Sequence, residues 1–166
     1  MNALIVYFSK FGNTRKVAEA VAEALQSQGS VSLVPAEGLS LDLLREVDLV
    51  VAGSPTHRMN LPEPYRLILK GLPRRALRGK AVAAFDTSYK MSPWLARFTA
   101  SHRLASGLRR LGGRMITGPM TFHVDGREGP LSDHELERAI GWGEELSRAL
   151  SQDRARTDRS RRAPAR

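Results

Sequence analysis

The sequence predicts an α/β domain, a three-layer sandwich in which helices cover both faces of a five-stranded parallel sheet of order 2-1-3-4-5. Strand-like and helix-like segments alternate along residues 1–151, and such alternation is typical of parallel strands joined by crossover helices. Three strand-like segments are wholly apolar, as expected of central strands that are buried on both faces. The other two are shorter or interrupted, which places them at the edges.

The first two strands and the helix between them are predicted from apolar patterning. Ala3–Phe8 (ALIVYF) is a continuous apolar run, and Ser30–Pro35 (SVSLVP) is a shorter strand. Between them, apolar residues recur at helical spacing over Thr14–Gln28, and Gly29 ends that helix. This part of the chain therefore forms one strand–helix–strand unit.

The rest of the domain continues the alternation. Prolines 62 and 64 introduce one helix, and the Gly118-Pro119 pair interrupts the last strand, as suits an edge. Ser132 and Glu135 form a capping-box pattern before the closing helix. The predicted elements are, in order, helix Leu39–Arg45, strand Asp48–Ser54, helix Glu63–Gly71, strand Lys80–Phe85, helix Trp94–Leu111, strand Arg114–Thr117 with Met120–Val124, and helix Ser132–Ser151.

Charge separates a domain from a tail. Residues 152–166 carry +4 of the net charge of +9, lack helical periodicity and contain almost no bulky apolar side chain. We expect one domain over residues 1–151 and a disordered Arg-rich tail over residues 152–166. The domain is basic without the tail, so an acidic partner surface is one hypothesis and an ordinary solvated surface is the other.

Composition excludes several classes of protein. The chain has no cysteine, which removes disulfides, thiolate metal sites and cysteine nucleophiles, and no His or carboxylate spacing indicates a metal site. No apolar run is long enough for a transmembrane helix, and the N-terminus does not have the pattern of a signal peptide. These features favour a cytoplasmic location, and nothing predicts a specific nucleic-acid site.

Three loops follow the central strands and should meet at the carboxyl edge of the sheet, where open parallel sheets bind ligands. They are SKFGNT (Ser9–Thr14), SPTHRMNLPEP (Ser54–Pro64) and DTSYKMSP (Asp86–Pro93). The first opens onto a helix N-terminus, whose free amides and dipole favour an anion. Hydroxyls at Ser9 and Thr14, with a glycine between them, favour a phosphate over a simple helix cap.

Four other phosphate-binding or α/β interpretations fail on the residues. Neither the P-loop pattern nor the dinucleotide pattern G-x-G-x-x-G occurs. A low-molecular-weight tyrosine phosphatase needs a cysteine in the first loop. A response-regulator receiver needs an acidic pair after strand one and an aspartate ending strand three, but these ends are FSK and GSPT.

The stretch IVYFSKFGNTRKVAEAV (residues 5–21) resembles the phosphate-loop signature of the flavodoxin family: apolar strand, aromatic, hydroxyl, glycine, threonine, then an amphipathic helix. The alternation over residues 1–151 is similar to that family's whole fold. The resemblance implies that FMN is the cofactor and that the first loop binds its 5′-phosphate. The residues implied are Ser9, Lys10, Phe11, Gly12, Asn13 and Thr14.

The resemblance also implies two loops around the flavin ring. One side would be formed by Pro55, Thr56, His57, Arg58, Met59 and Asn60, and the other by Thr87, Ser88 and Tyr89. Tyr89 would stack on the ring, with Trp94 close by. His57 would donate to the flavin or protonate a substrate, whereas His123 is a weaker candidate for its edge. Arg58 and Lys90 would place positive charge nearby.

Two redox functions remain open. One is a carrier that passes electrons through the flavin to a protein partner. The other is an FMN-dependent oxidoreductase that reduces a quinone-type or oxidises a porphyrinogen-type small molecule, as a monomer or a dimer. A third hypothesis, an interaction module that kept the fold without the cofactor, is disfavoured by the intact phosphate loop.

Overall fold

The computed structural model describes residues 1–57, 60–92, 94 and 98–162, with the side chains of the last helix described through residue 159. The strands are β1 (Asn2–Tyr7), β2 (Ser30–Pro35), β3 (Leu49–Pro55), β4 (Ala81–Ser88), β5 (Arg114–Met115) and β6 (Met120–His123). The helices are α1 (Asn13–Gln26), α2 (Glu63–Gly71), α3 (Ala100–Arg110) and α4 (Glu135–Arg162).

The strands form a parallel sheet of order β2-β1-β3-β4-β5, and β6 also pairs with β4. The predicted order 2-1-3-4-5 is therefore confirmed. The predicted interruption of the last strand is also present, because β5 and β6 pair with the two ends of β4 separately. No described helix is long and apolar enough to cross a membrane.

Apolar side chains alternate between the two faces of the sheet. Along β1, Ala3 and Ile5 join the core beneath α1 and α4, whereas Leu4 and Val6 join the core beneath α2 and α3. The first core includes Phe85, whose ring meets Trp142 of α4 edge-to-face at 5.9 Å between centroids. The fully apolar central strands are thus buried on both faces, as a doubly covered parallel sheet requires.

Three helix predictions differ from the structure. The helix predicted over Trp94–Leu111 is α3, which begins only at Ala100 after a turn at residues 98 and 99. Residues 39–45 do not form a helix, since a single 3-10 turn at Ala36–Gly38 is followed by turns. Ser132 does not cap the closing helix, because its Oγ donates to Asp125 Oδ1 at 2.5 Å and the helix begins at Glu135. Local turn hydrogen bonds, such as that from Leu44 N to Leu41 O at 3.1 Å, satisfy part of the backbone of residues 39–45, and a helix of only seven residues gains little from propensity alone.

The last helix is longer than predicted. It continues through residues 152–162, where the sequence predicted a disordered tail. Arg114 Nε donates to Asp153 Oδ1 at 2.6 Å, and Arg154 Nη2 lies 2.6 Å from Asp48 Oδ2. These two ion pairs attach the extension to the amino edge of the sheet, which is a tertiary contact that local periodicity does not encode.

Candidate functional site

The loop between β1 and α1 leaves a run of backbone amides available. Within the described part of the chain, the amides of residues 9–14 donate to no other group, whereas Phe8 N donates to Gly53 O at 2.9 Å. Gly12 adopts φ 88°, a left-handed conformation that turns the chain into the helix and that glycine takes without strain. A helix N-terminus with free amides is a site for an anion.

Two buried polar side chains fix this loop to the rest of the site. Thr14 Oγ1 lies 2.8 Å from Thr87 Oγ1, so the first and third loops meet through a hydroxyl pair. Asn13 Nδ2 donates to Glu128 O at 2.9 Å and holds the loop after β6 against the start of α1. Ser9 Oγ accepts from Arg15 N at 3.3 Å, so this hydroxyl contributes to the first turn of α1.

The second loop begins at the last residue of β3. Thr56 N donates to Thr87 O at 2.9 Å, which continues the β3–β4 pairing by one residue. His57 and Asn60 exchange two backbone hydrogen bonds of 2.9 Å, and His57 is exposed. Arg58 and Met59, which were predicted to face the flavin, lie outside the described residues.

The third loop begins later than predicted. Strand β4 continues to Ser88, so Asp86, Thr87 and Ser88 are buried strand residues rather than loop residues. Tyr89 follows them and is 48% exposed, so its ring is available to a ligand. The hydrogen-bonded ladder to β6 explains the extension, because Asp86, Thr87 and Ser88 pair with residues 121–123.

These segments enclose a cavity of about 660 Å³ at the carboxyl ends of β1, β3 and β4. Its volume lies within the roughly 300–1,000 Å³ that is usual for a cofactor site. The predicted residues that line it are Ser9, Lys10, Phe11, Asn13, Thr14, Pro55, Thr56, His57, Thr87, Ser88 and Tyr89. Gly12 and Asn60 do not line it, although both belong to the loops that do.

Six lining residues were not predicted to be in the site. They are Phe8, Pro62, Glu63, Pro64, Val124 and Arg127. Pro62, Glu63 and Pro64 end the second predicted loop, Ser54–Pro64, but the sequence assigned them a helix start and no contact with the ligand. The loop that contains Arg127 follows the last strand, and nothing local indicates that it folds back over α1. Its placement depends on the hydrogen bond from Asn13, which joins residues 115 positions apart.

Two aromatic candidates do not line the cavity. His123 ends β6 and is partly buried, but only its neighbour Val124 is part of the wall. Trp94 is 61% exposed and contributes neither to the wall nor to the core. Phe98 is also exposed, at 44%, whereas Leu104, Leu108 and Leu111 are buried in the core.

Asp86 is a buried carboxyl next to the cavity wall. Thr56 Oγ1 donates to Asp86 Oδ2 and also accepts from Ala100 N at 2.8 Å, so it links the second loop to the start of α3. Burial raises the pKa of Asp86, while the hydrogen bond from Thr56 opposes that shift. Of this network, Thr56 lies at the cavity wall, whereas Asp86 lies behind it.

The donor set fits a flat ligand that carries a phosphate. The free amides of residues 9–14 can donate hydrogen bonds to the anion. The space beside Gly12 is open, because no atom lies within 4 Å of the position that a Cβ on this residue would occupy. Lys10 and Arg127 add positive charge at the wall. The exposed ring of Tyr89 offers an aromatic face of the kind on which planar ring systems stack.

Known proteins resemble this chain in sequence and in fold. The family model described as Flavodoxin matches residues 5–142. A flavodoxin of Clostridium saccharobutylicum is 23% identical over 158 residues, which cover 92% of this chain and 99% of that protein.

Solved structures have the same fold. A flavodoxin from the domain Archaea superposes with a TM-score of 0.73 at 21% identity, covering 91% of this chain and 99% of the other. The rubredoxin oxygen:oxidoreductase of Desulfovibrio gigas superposes with a TM-score of 0.72 at 20% identity, covering 91% of this chain but 36% of that one. The second match shows that the same fold also occurs within a much longer chain.

Proposed function

The chain belongs to the flavodoxin family, whose cofactor is FMN and whose members transfer electrons, and from this premise we propose a specific assignment. The protein holds FMN in the cavity at the carboxyl ends of β1, β3 and β4 and passes electrons to a protein partner. When bound, FMN supplies the electron-transfer chemistry. The side chains and amides of this chain bind it, orient it and set its electrostatic surroundings.

One observation carries the assignment: six consecutive amides, from Ser9 to Thr14, have no acceptor in the described part of the chain. All of these residues except Gly12 line a cavity large enough for a flavin nucleotide. A phosphate accepts several such bonds at once, and the dipole of α1 adds to their effect. We therefore assign the 5′-phosphate to residues Ser9–Thr14.

The flavin ring is assigned to the space between the second and third loops. Thr56 and His57, which line the cavity, would flank the ring from the second loop, and Thr87, Ser88 and Tyr89 would flank it from the end of β4 and the third loop. The exposed ring of Tyr89 would cover one face of the flavin and exclude water from it. Desolvation of one face disfavours a charged ring, whereas Lys10 and Arg127 at the wall favour a negative one.

Paired ligands test the phosphate assignment directly. FMN and riboflavin differ only in the phosphate, so the phosphate loop should give FMN an affinity at least about a hundredfold higher than that of riboflavin. Titration by flavin fluorescence measures both constants. Equal affinities for the two flavins, or no binding of FMN at micromolar concentration, would refute the assignment.

A threonine variant tests whether the first loop is the source of the higher affinity for FMN. Thr14→Val keeps the shape of the side chain but removes the hydroxyl that pairs with Thr87, so FMN should bind about tenfold more weakly while riboflavin binding changes little. Thr157→Val is the matched control, since Thr157 bonds only within α4, to Asp153 O at 2.9 Å. Its flavin affinities should equal those of the unaltered protein.

The alternative function is an FMN-dependent oxidoreductase acting on a quinone-type or porphyrinogen-type molecule. The supporting observation is His57, an exposed imidazole at the cavity wall that is positioned to exchange a proton with a bound molecule. Steady oxidation of NADH or NADPH with a quinone by the protein alone would favour this alternative. Reduction that requires an added reductase protein would favour the carrier.

A further inference from the structure

A second concave surface lies beside the flavin cavity. This groove, of about 330 Å³, lies between α2 and α3. Among the described residues, its lining contains five cationic side chains and no carboxylate. The cations are Arg66, Lys70, Arg74, Arg103 and Arg110.

The charge of the groove is largely uncompensated. Arg66 Nη2 lies 3.3 Å from Glu63 Oε1, and this is the one ion pair that involves a groove cation among the described residues. Lys70, Arg74, Arg103 and Arg110 are all exposed. Several like charges on neighbouring helices repel one another, so the groove has a positive potential that a ligand from outside can neutralise.

Helix capping explains only part of this arrangement. Lys70 and Arg110 lie in the last turns of α2 and α3, where the helix dipole favours cations. Arg103, however, lies in the first turn of α3, where the dipole opposes a cation, and α3 has no acidic residue in that turn. Arg74 lies beyond the end of α2. These two cations have no local structural role that accounts for them.

The groove and the flavin cavity share a wall. Pro62, Glu63 and Pro64 line the flavin cavity, while Asn60, Leu61 and Arg66 line the groove. The segment of residues 60–66 therefore contributes to the walls of both spaces. A molecule seated in the groove is next to the site assigned to the flavin.

The spread of the charges indicates the size of the occupant. Arg103 and Arg110 are seven residues apart on one helix, which corresponds to roughly 10 Å along its axis. Lys70 and Arg66 lie on the other helix, across the groove. One phosphate contacts only a few of these groups, whereas a surface with several spaced carboxylates pairs with all of them. Charge complementarity of this kind steers and orients redox partners.

We propose that the groove between α2 and α3 is the docking site for a carboxylate-rich face of the partner protein that exchanges electrons with the flavin. The proposal rests on the proposed function for its redox meaning. The docking itself depends only on the groove, so the two can be tested separately.

The test uses the FMN-loaded protein and a fluorescein-labelled oligoglutamate peptide as the probe, with binding followed by anisotropy at low ionic strength. The double variant Arg103→Gln/Arg110→Gln should weaken peptide binding about tenfold, and added salt should weaken it in the unaltered protein. The control Arg148→Gln/Arg159→Gln removes the same charge from exposed positions of α4 and should change binding less than about twofold.

Three results would overturn the proposal. The first is no peptide binding at low salt, and the second is an equal loss in both double variants, which would reflect net charge alone. The third is tighter, groove-dependent binding of an oligothymidylate of equal charge, which would assign the groove to nucleic acid. FMN titration of the same variants keeps the tests distinct: unchanged FMN binding with lost peptide binding supports docking, whereas absent FMN binding counts against the proposed function only.

Discussion

At the scale of single residues, Asp86 joins the ligand site to the core. Its carboxyl group is buried, and the hydroxyl of Thr56 bridges it to the amide of Ala100 at the start of α3. Since burial raises its pKa, the folded protein favours the protonated form of Asp86 relative to the unfolded chain. Its contribution to stability is therefore present at low pH and is lost as pH rises through the folded pKa.

We predict that Asp86→Asn raises the urea midpoint of unfolding at pH 8 and changes it least near pH 4. The amide is neutral at every pH and still accepts the hydrogen bond from Thr56. Urea titrations of both proteins at several pH values measure the difference. A variant that is less stable than the unaltered protein at pH 8 would contradict the prediction.

Asp153→Asn supplies the control of opposite sign. The hydrogen bond from Arg114 lowers the pKa of Asp153, so its contribution is present above the unfolded pKa and is lost as pH falls. This variant should therefore lower the urea midpoint at neutral pH and have little effect in acid. Comparison of the two variants separates the effect of burial on stability, at Asp86, from the effect of an ion pair, at Asp153.

At the scale of the element, the end of α4 is held by side-chain contacts rather than by a hydrophobic face. Asp153 pairs with Arg114, and Arg154 pairs with Asp48 at the amino end of β3. Asp153 is only 17% exposed in its side chain, so its pair is more shielded from water than most surface pairs. These contacts favour helix beyond the point where apolar periodicity ends.

We predict that deleting residues 152–166 lowers the free energy of unfolding by about 1 kcal/mol, because both ion pairs are lost. Deleting residues 160–166 retains both pairs and should leave stability unchanged. Thermal unfolding followed by circular dichroism compares the two deletions. Equal stability of the shorter and longer chains would show that the pairs do not anchor the helix.

At the scale of the whole molecule, the net charge of +9 surrounds the proposed flavin site with a positive field. Fields of this sign raise the encounter rate of anions and lower that of cations, and salt screens both effects. The cationic groove beside the flavin cavity concentrates part of this charge where a partner would approach.

We predict that the photoreduced protein is oxidised by ferricyanide more slowly as salt is added, and by hexaammineruthenium(III) more quickly. Each reaction transfers one electron from the protein to the complex, so stopped-flow absorbance at the flavin bands reports both rates. Replacing Arg103 and Arg110 with glutamine should reduce the salt dependence for ferricyanide. The opposite order of salt effects would mean that the field at the flavin is not positive.

Much of the fold and half of the site follow from the sequence. The apolar strands and the helical spacing of α1 determine the layers and the strand order, because a strand buried on both faces can only be central. The first loop is local as well: its glycine and hydroxyls lie in six consecutive residues, and their position before a helix defines an anion site.

The rest depends on contacts between residues far apart in the chain, which local patterns do not encode. The pairing of β4 with β6 turns a predicted loop into strand at Asp86–Ser88, and Asn13 brings the loop of Arg127 to the cavity. Ion pairs from Arg114 to Asp153 and from Asp48 to Arg154 stabilise helix where the sequence predicted a tail. The sequence by itself determined the sheet and the loop that we propose binds phosphate. Tertiary structure decided the cavity wall, the length of α4 and the charged groove, because the residues that form them meet only after folding.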